Sequence, residues 1–496
     1  MTTELPRPRT TALPPVALPP VALRAAEPHP SGPVPAVPPT ASGVRAGAHR
    51  GGATEAELPV TVAAEALPVA AEPAHRPNRV PWIDGVRGAA ACFVVLHHIW
   101  LASWPYFPEN LGPWWLGWAL YGHLAVAVFI VVSGFSLGLA PARHDWALRG
   151  GLRQFLRRRV WRILPPYWAA LVFSMLMIAL VNGPRSGEVV TAKTAAVYGL
   201  LVQDVIGAPV PNGTFWSIAL EWQIYFVFPL VLLVARRFGL RWAVLLSGVA
   251  VLVVHVAAKE VGALARLDQL LPQFFGLFVL GVAAARVTVV PPSPRVTRLI
   301  AAGSAGAFAA FVGYAAKAGS PTVVAHYFWI DLLVGAAAAG MLATMAAGLA
   351  APLRAFFGSR PLLRLGLFSY SIYLVHAPVL EALTLYVARP LELPALGTYG
   401  VLLAFVPVVL GFCYLFFLVF ERPFLTARSF ADLRGRESGR RPGRHARGHV
   451  SRPPLIPPNR PAAEVAPVGS EVRGPVPSTV RGEAWPGRTS GSPGGY

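Results

Sequence analysis

Arg87 and His98 stand eleven residues apart in GVRGAAACFVVLHHIWLASW, the first long apolar run of the chain. In a helix turning about 100° per residue that interval is roughly three turns plus 20°, so both side chains share one face about 16 Å apart. His97 falls about 80° off that line. A guanidinium at one membrane edge and an imidazole near the midplane are costly in lipid, and such groups mark function more often than packing. A neutral imidazole can act as a general base, and a guanidinium can hold an anion.

Further polar groups interrupt later apolar runs. Ser217, Glu221 and Tyr225 recur at i, i+4 and i+8 in TFWSIALEWQIYFVFPLV, forming one stripe turned towards protein. Glu221 either locks helix packing or orients and charges a histidine. His376, in SYSIYLVHAP, shares a face with Ser369 and Tyr373, either as a core histidine bonded to a neighbouring helix or as part of a site. Helical rise sets His98, Glu221 and His376 all about 15–20 Å from the same membrane edge, which leaves one shared pocket open. In RRVWRILPPYW, Arg158, Arg159 and Arg162 crowd the boundary before Pro165 and Pro166, which limit local helical hydrogen bonding. These arginines are a topological anchor or, with Tyr167, a grip on a phosphorylated ligand. Ser133, in FIVVSGF, is a packing serine beside Gly134 or a pocket residue.

The elements that must carry these groups are membrane helices. A hydrophobic fraction of 54% against 13% charged residues, with a mean hydropathy of +0.52, excludes an ordinary soluble domain of this length. Ten candidate spans follow, at 86–104, 114–140, 160–181, 214–234, 240–258, 268–286, 297–317, 328–350, 363–387 and 397–420. Arginines fill every second loop, with Arg143, Arg149, Arg153 and Arg157–Arg159 after the second span. Arg236 and Arg237 follow the fourth, Arg286, Arg295 and Arg298 the sixth, and Arg354, Arg360 and Arg364 the eighth. By the positive-inside rule both termini are cytoplasmic, so Arg87 sits at the cytoplasmic end of its span. The expected fold is all-α, a polytopic bundle of about ten transmembrane helices over 80–425. A disordered Pro/Ala-rich cytoplasmic leader at 1–79 precedes it, and a disordered basic tail at 426–496 follows it.

The formal charge of +20 reads as topology plus that tail, which can rest on anionic lipid, and no nucleic-acid partner is expected. Cys92 and Cys413 lie in apolar runs, so neither a disulfide framework nor a metal site is expected, and no HExxH or P-loop motif occurs.

Taken in order, GVRGAAACFVVLHH, FIVVSGF, RRVWRILPPYW, FWSIALEWQIYFVFPL, SYSIYLVHAP and the closing ERP at Glu421–Pro423 resemble the blocks of acyltransferase family 3, integral-membrane acyltransferases of bacteria. The resemblance spans about residues 80–425. It implies transfer of an acyl group, usually acetyl, from a cytoplasmic acyl-CoA-type donor to a hydroxyl of a carbohydrate, glycolipid or small metabolite. The family's Arg, ten residues, His signature maps onto Arg87 and His98. His98 would then be the base and Arg87 would hold the donor or the site, with Glu221 as a further catalytic candidate. Arg158, Arg159, Arg162, Tyr167, Ser133, Trp216, Ser217, Tyr373 and His376 fall in the same blocks as donor- or substrate-binding candidates. Some members append an esterase-like domain; the low-complexity sequence after the tenth span suggests a standalone form in a bacterial cytoplasmic membrane. A proton-coupled transporter or acyl-group translocator would use the same intramembrane His, Glu and Arg, although the two halves of the chain show no duplication. His326 and Asp331 have the spacing of glycerolipid acyltransferases but lack companion motifs.

Overall fold

The computed structural model describes residues 80–425, apart from 184–186 and 188, so the expected leader and basic tail lie outside the described residues. The described chain is helical and contains no strand. Its helices are α1 (Pro81–Ser103), α2 (Leu124–Ala142), α3 (Gly151–Asn182), α4 (Ala192–Gly199), α5 (Phe215–Phe238), α6 (Leu240–Glu260), α7 (Gln273–Arg286), α8 (Pro294–Ala318), α9 (Ser320–Ala325), α10 (Tyr327–Ala346), α11 (Ala351–Phe357), α12 (Arg360–Leu367), α13 (Ser369–Leu383), α14 (Ala395–Ala404) and α15 (Val406–Phe416). Among the described residues, ten helical segments are long and apolar enough to cross a membrane, and the protein is a multi-pass membrane protein of the all-α class.

Several expected spans have different limits. The stretch 114–140 is a 3₁₀ segment, Trp114–Tyr121, followed by α2, and the chain turns at Gly122 and His123 between them. The third span begins at Gly151, nine residues before the expected 160, and its helix runs on through Pro165 and Pro166. These prolines lack the N–H groups that would bond the carbonyls of Trp161 and Arg162, yet the axis continues. The stretch 363–387 is divided at Phe368 and 397–420 at Phe405, two residues before Pro407, whose ring cannot continue the hydrogen-bond ladder.

Burial separates the bundle into centre and periphery. Of the most apolar part of α2, 72% is buried, against 6% for the span formed by α8 and α9, so α2 is central and α8 faces outwards. The most extensive helix contact is α2 with α7. Its closeness rests on glycine: a Cβ at Gly134 would meet the Phe278 carbonyl oxygen, and one at Gly281 would meet that of Val131. Small residues at such crossings let backbones approach and gain dispersion contacts without a solvent term. Ser133, one residue before Gly134 and about 100° round the helix from it, faces α5 and the cavity instead.

Candidate functional site

A cavity of about 340 Å³ opens among α1, α2, α3, α5 and α13, and five arginines line it: Arg87, Arg149, Arg158, Arg159 and Arg162. Among the described residues, Glu221 is the one acidic side chain in its walls. Along α2 the lining runs from Pro141 to Val126, about 22 Å at 1.5 Å per residue. Arg158, Arg159 and Arg162 come from successive turns of α3, so a helix period turns a local basic run into one wall.

Inside the cavity the polar groups are ordered. Arg87 Nη2 donates to Ser136 Oγ at 3.0 Å, and its Nη1 lies 3.5 Å from Asp84. The Arg159 guanidinium lies 5.7 Å from the ring centroids of both Phe155 and Tyr225, and its buried Nε has no hydrogen-bond partner. Glu221 Oε1 accepts from Ser133 Oγ at 2.8 Å and from the Tyr225 hydroxyl. At the deep end Ser217 Oγ donates to the Tyr373 hydroxyl, whose ring packs edge-on against Phe129, and together they close the floor.

Behind that floor stand His98 and His376. The Val94 carbonyl, 2.9 Å from His98 Nδ1, requires a proton there, and the same N–H points at His376 Nε2 at 3.2 Å. His376 Nδ1 is likewise committed, to Ile372 O at 2.7 Å. His98 Nε2 is thereby left with its lone pair, on a ring that is half-buried where His376 is fully buried. Tyr373 joins the two parts of the site, its ring 6.3 Å from that of His376. His97 turns aside, buried, with Nδ1 donating to Ala119 O at 3.0 Å.

The structure therefore gathers Arg87, Ser133, Arg158, Arg159, Arg162, Ser217, Glu221 and Tyr373 around one cavity, with His98 and His376 beyond its floor. Two open readings narrow. Glu221 Oε1 accepts from Ser133 and Tyr225, and no histidine is among its hydrogen-bond partners in the described residues. Ser133 lines the cavity, while Gly134 beside it meets α7. Tyr167 and Trp216 are not among the cavity walls. Tyr167 is fully buried and donates to Tyr198 O at 2.9 Å, tying α3 to α4. Trp216 stacks on His123, 5.4 Å between centroids. His326 and Asp331 do not pair: His326 bonds Thr322 O, and Asp331 Oδ2 accepts from His123 Nε2 at 3.1 Å.

Asn212 has no counterpart in the sequence reading. Its Nδ2 donates to Ser174 Oγ at 3.1 Å and Leu374 O at 3.0 Å, while its Oδ1 accepts from Thr214 N and Oγ1. Thr214 Oγ1 then donates to Tyr373 O at 3.2 Å, so this buried network sets α13 and its Tyr373 and His376 against α3 and α5. The N-G-T sequence just before an apolar helix was the available signal, an Asx-type turn entering a helix. Glu421, of the ERP triplet, accepts from Ser371 N and Oγ and anchors α13 from its other side. Asp204, outside the spans, accepts from Gln223 Nε2 at 3.3 Å, and burial pushes its carboxyl up to about 6 against that hydrogen bond.

The profile of the family described as Acyltransferase domain matches residues 80–419, which takes in every residue of the cavity and of the histidine pair. Among characterised proteins, the chain is 28% identical to acyltransferase MdmB of Streptomyces mycarofaciens, over 61% of this chain and 79% of that protein. It is 26% identical to nodulation protein 10 of Rhizobium leguminosarum, over 38% of this chain and 52% of that protein. It is also 26% identical to the peptidoglycan O-acetyltransferase OatA of Listeria monocytogenes, over 31% of this chain and 24% of that protein. The matched segment thus spans about half of the second relative and a quarter of the third. No solved structure matches the chain. With the family profile covering more than half of its length, the chain belongs to this acyltransferase family and is a membrane O-acyltransferase.

Proposed function

We propose that the protein moves a short acyl group, acetyl in the first instance, from a cytoplasmic acyl-CoA-type donor to a hydroxyl of a carbohydrate, glycolipid or small metabolite, in the cytoplasmic membrane of a bacterium. The observation that carries this reading is the arginine-lined cavity that ends, at Ser217 and Tyr373, beside a histidine pair with a free ring nitrogen. The donor's phosphates meet Arg158, Arg159 and Arg162 at the basic mouth, where forked guanidinium groups suit phosphate oxygens. Its thioester arm runs inwards past Phe129 and Ile130, which keep water from the acyl carbon. Arg87, braced by Ser136 and Asp84, borders that path.

The chemical step needs one base. His98 Nε2 takes the acceptor hydroxyl's proton as the oxygen adds to the thioester carbonyl; the C–S bond then breaks, and the departing thiolate takes the proton back. His376 Nε2, accepting from His98 Nδ1–H, keeps the lone pair on the reacting nitrogen and stabilises the imidazolium as it forms. Glu221, bound by Ser133 and Tyr225, balances part of the arginine charge and holds the cavity wall. Purified full-length protein in lipid nanodiscs, given acetyl-CoA labelled in the acetyl group, should bind the donor with an affinity that falls in Arg162→Ala. Label should appear in envelope glycans or metabolites of cells carrying the gene and not of cells lacking it. No donor binding by the wild type would sink the assignment.

A further inference from the structure

Four helices that carry walls of the bundle begin at one place. His123 caps α2, Trp216 lies in the first turn of α5, Gln273 opens α7, and Tyr327 opens α10 with Asp331 one turn further on. These helices end on the basic side, α2 at Arg143, α5 at Arg236 and Arg237, α7 at Arg286, so their starts lie at the end of the bundle opposite the arginines. The His123 ring is sandwiched between Tyr327, 4.2 Å away and nearly parallel, and Trp216. Asp331 Oδ2 accepts from His123 Nε2 at 3.1 Å and from Gln273 Nε2 at 3.2 Å.

Two oxygens in this cluster are left over. Asp331 is 0% exposed, and its Oδ1 has no hydrogen-bond partner; the buried Tyr327 hydroxyl has none either. A buried unpaired carboxylate oxygen costs free energy unless something supplies a donor. His123 adds a third acceptor, because Nε2–H is given to Asp331 and Nδ1 keeps its lone pair. A cation is disfavoured, since four helix N-termini present positive dipole ends here. What fits is a neutral molecule rich in hydroxyl donors.

The cluster also adjoins the reaction centre. The deep end of the cavity reaches Val126, one turn from His123, and Ser217 of its floor follows Trp216. Gly122, next to His123, packs against the His97 side chain. We propose that His123, Asp331 and Tyr327 form the acceptor site, binding the non-reacting hydroxyls of a polyhydroxylated acceptor that enters from the face opposite the donor. This rests on the acyltransferase reading above. Hydroxyl protons go to Asp331 Oδ1 and His123 Nδ1, and His123, Trp216 and Tyr327 are the half-buried members of the cluster.

The test separates acceptor binding from donor binding. Full-length protein in nanodiscs is titrated with acetyl-CoA by calorimetry and with methyl glycosides of glucose and N-acetylglucosamine by saturation-transfer NMR. Asp331→Asn should weaken glycoside binding about tenfold, as expected for one lost hydrogen bond to a charged group. Tyr327→Phe, which removes one oxygen and keeps the ring stack, should weaken it less. Acetyl-CoA affinity should be unchanged in both, which also shows that the variants fold; if Asp331→Asn does not fold, Tyr327→Phe carries the test. Equal glycoside binding by wild type and variants, as a buried water at this place would give, overturns the proposal, and so does absence of glycoside binding to the wild type. Loss of acetyl-CoA binding by the wild type would instead overturn the acyltransferase mechanism.

Discussion

The arginine cavity and the histidine end of the bundle are both polar, but they are built in opposite ways. Three of the five cavity arginines come from two turns of α3; Arg158 and Arg162 are exposed, and the buried Arg159 Nε has no hydrogen-bond partner. At the other end the polar groups come from helices far apart in sequence, His97 and His98 from α1 and His376 from α13, and each gives an N–H to a backbone carbonyl. Unsatisfied forked cations suit a ligand that brings its own acceptors. Imidazoles whose tautomers are fixed suit proton transfer at one defined nitrogen. On the proposed mechanism one end serves affinity and the other chemistry, so variants at the two ends should change different parameters.

The largest effect is expected at His98. His98→Ala should lower the rate of acyl transfer by about 10²–10⁴-fold, the usual worth of a positioned base, while acetyl-CoA affinity stays the same. Steady-state transfer assays beside calorimetric titration read both quantities, and a variant that loses donor binding without losing turnover would reverse the assignment of the two ends. Arg159→Ala should do the opposite. On the proposed mechanism it removes a charge-assisted contact to the donor's phosphate, so donor affinity should fall about tenfold with little change in the maximal rate. Arg159→Lys should restore only part, because the ammonium cannot stack on Phe155 and Tyr225 as a planar guanidinium does. A smaller change, several-fold at most, is expected for His97→Ala. His97 shares a helix and a ring edge with His98 yet donates to Ala119 O and touches neither His376 nor the cavity. Equal losses in His97→Ala and His98→Ala would show that packing of the histidine end, not a base, sets the rate.

The same contrast explains what was legible in the sequence. Arg158, Arg159 and Arg162 sit within five residues, so the basic cluster was visible although anchor and ligand grip stayed open, and Ser217, Glu221 and Tyr225 showed their stripe through helical period. The apolar periodicity gave ten spans, although the turn at Gly122–His123 was hidden inside a continuous hydrophobic run. Pairings across helices left no local trace. Asp331 is 208 positions from His123, and nothing in WIDLLVG distinguishes a carboxylate that meets an imidazole from one that faces a lipid headgroup. Asn212 was missed because its partners, Ser174 and Leu374, lie on α3 and α13. Glu221 showed its stripe, but whether it served packing or a histidine stayed open, since helical period fixes a direction and not what stands opposite.

The smallest effect concerns the helix that the two ends share. α5 carries Trp216 towards His123 and Glu221 towards the cavity, and Gln223 ties it to the preceding loop through Asp204. Burial raises the Asp204 carboxyl from 3.8 to about 6, so the folded protein holds a proton there that the unfolded chain has lost. Between about pH 4 and 6 the native state then binds more protons than the unfolded state, and stability falls as pH rises through that window. Above it the native state carries an ionised, partly desolvated carboxylate. Asp204→Asn keeps an acceptor for Gln223 and cannot ionise. It should therefore melt slightly higher than the wild type at pH 7, and the two should converge near pH 4. Thermal unfolding in detergent across that range measures the difference. A wild type that gains stability relative to Asp204→Asn as pH rises would mean that the charge is wanted, and that an uncovered cation rather than Gln223 holds this end of α5.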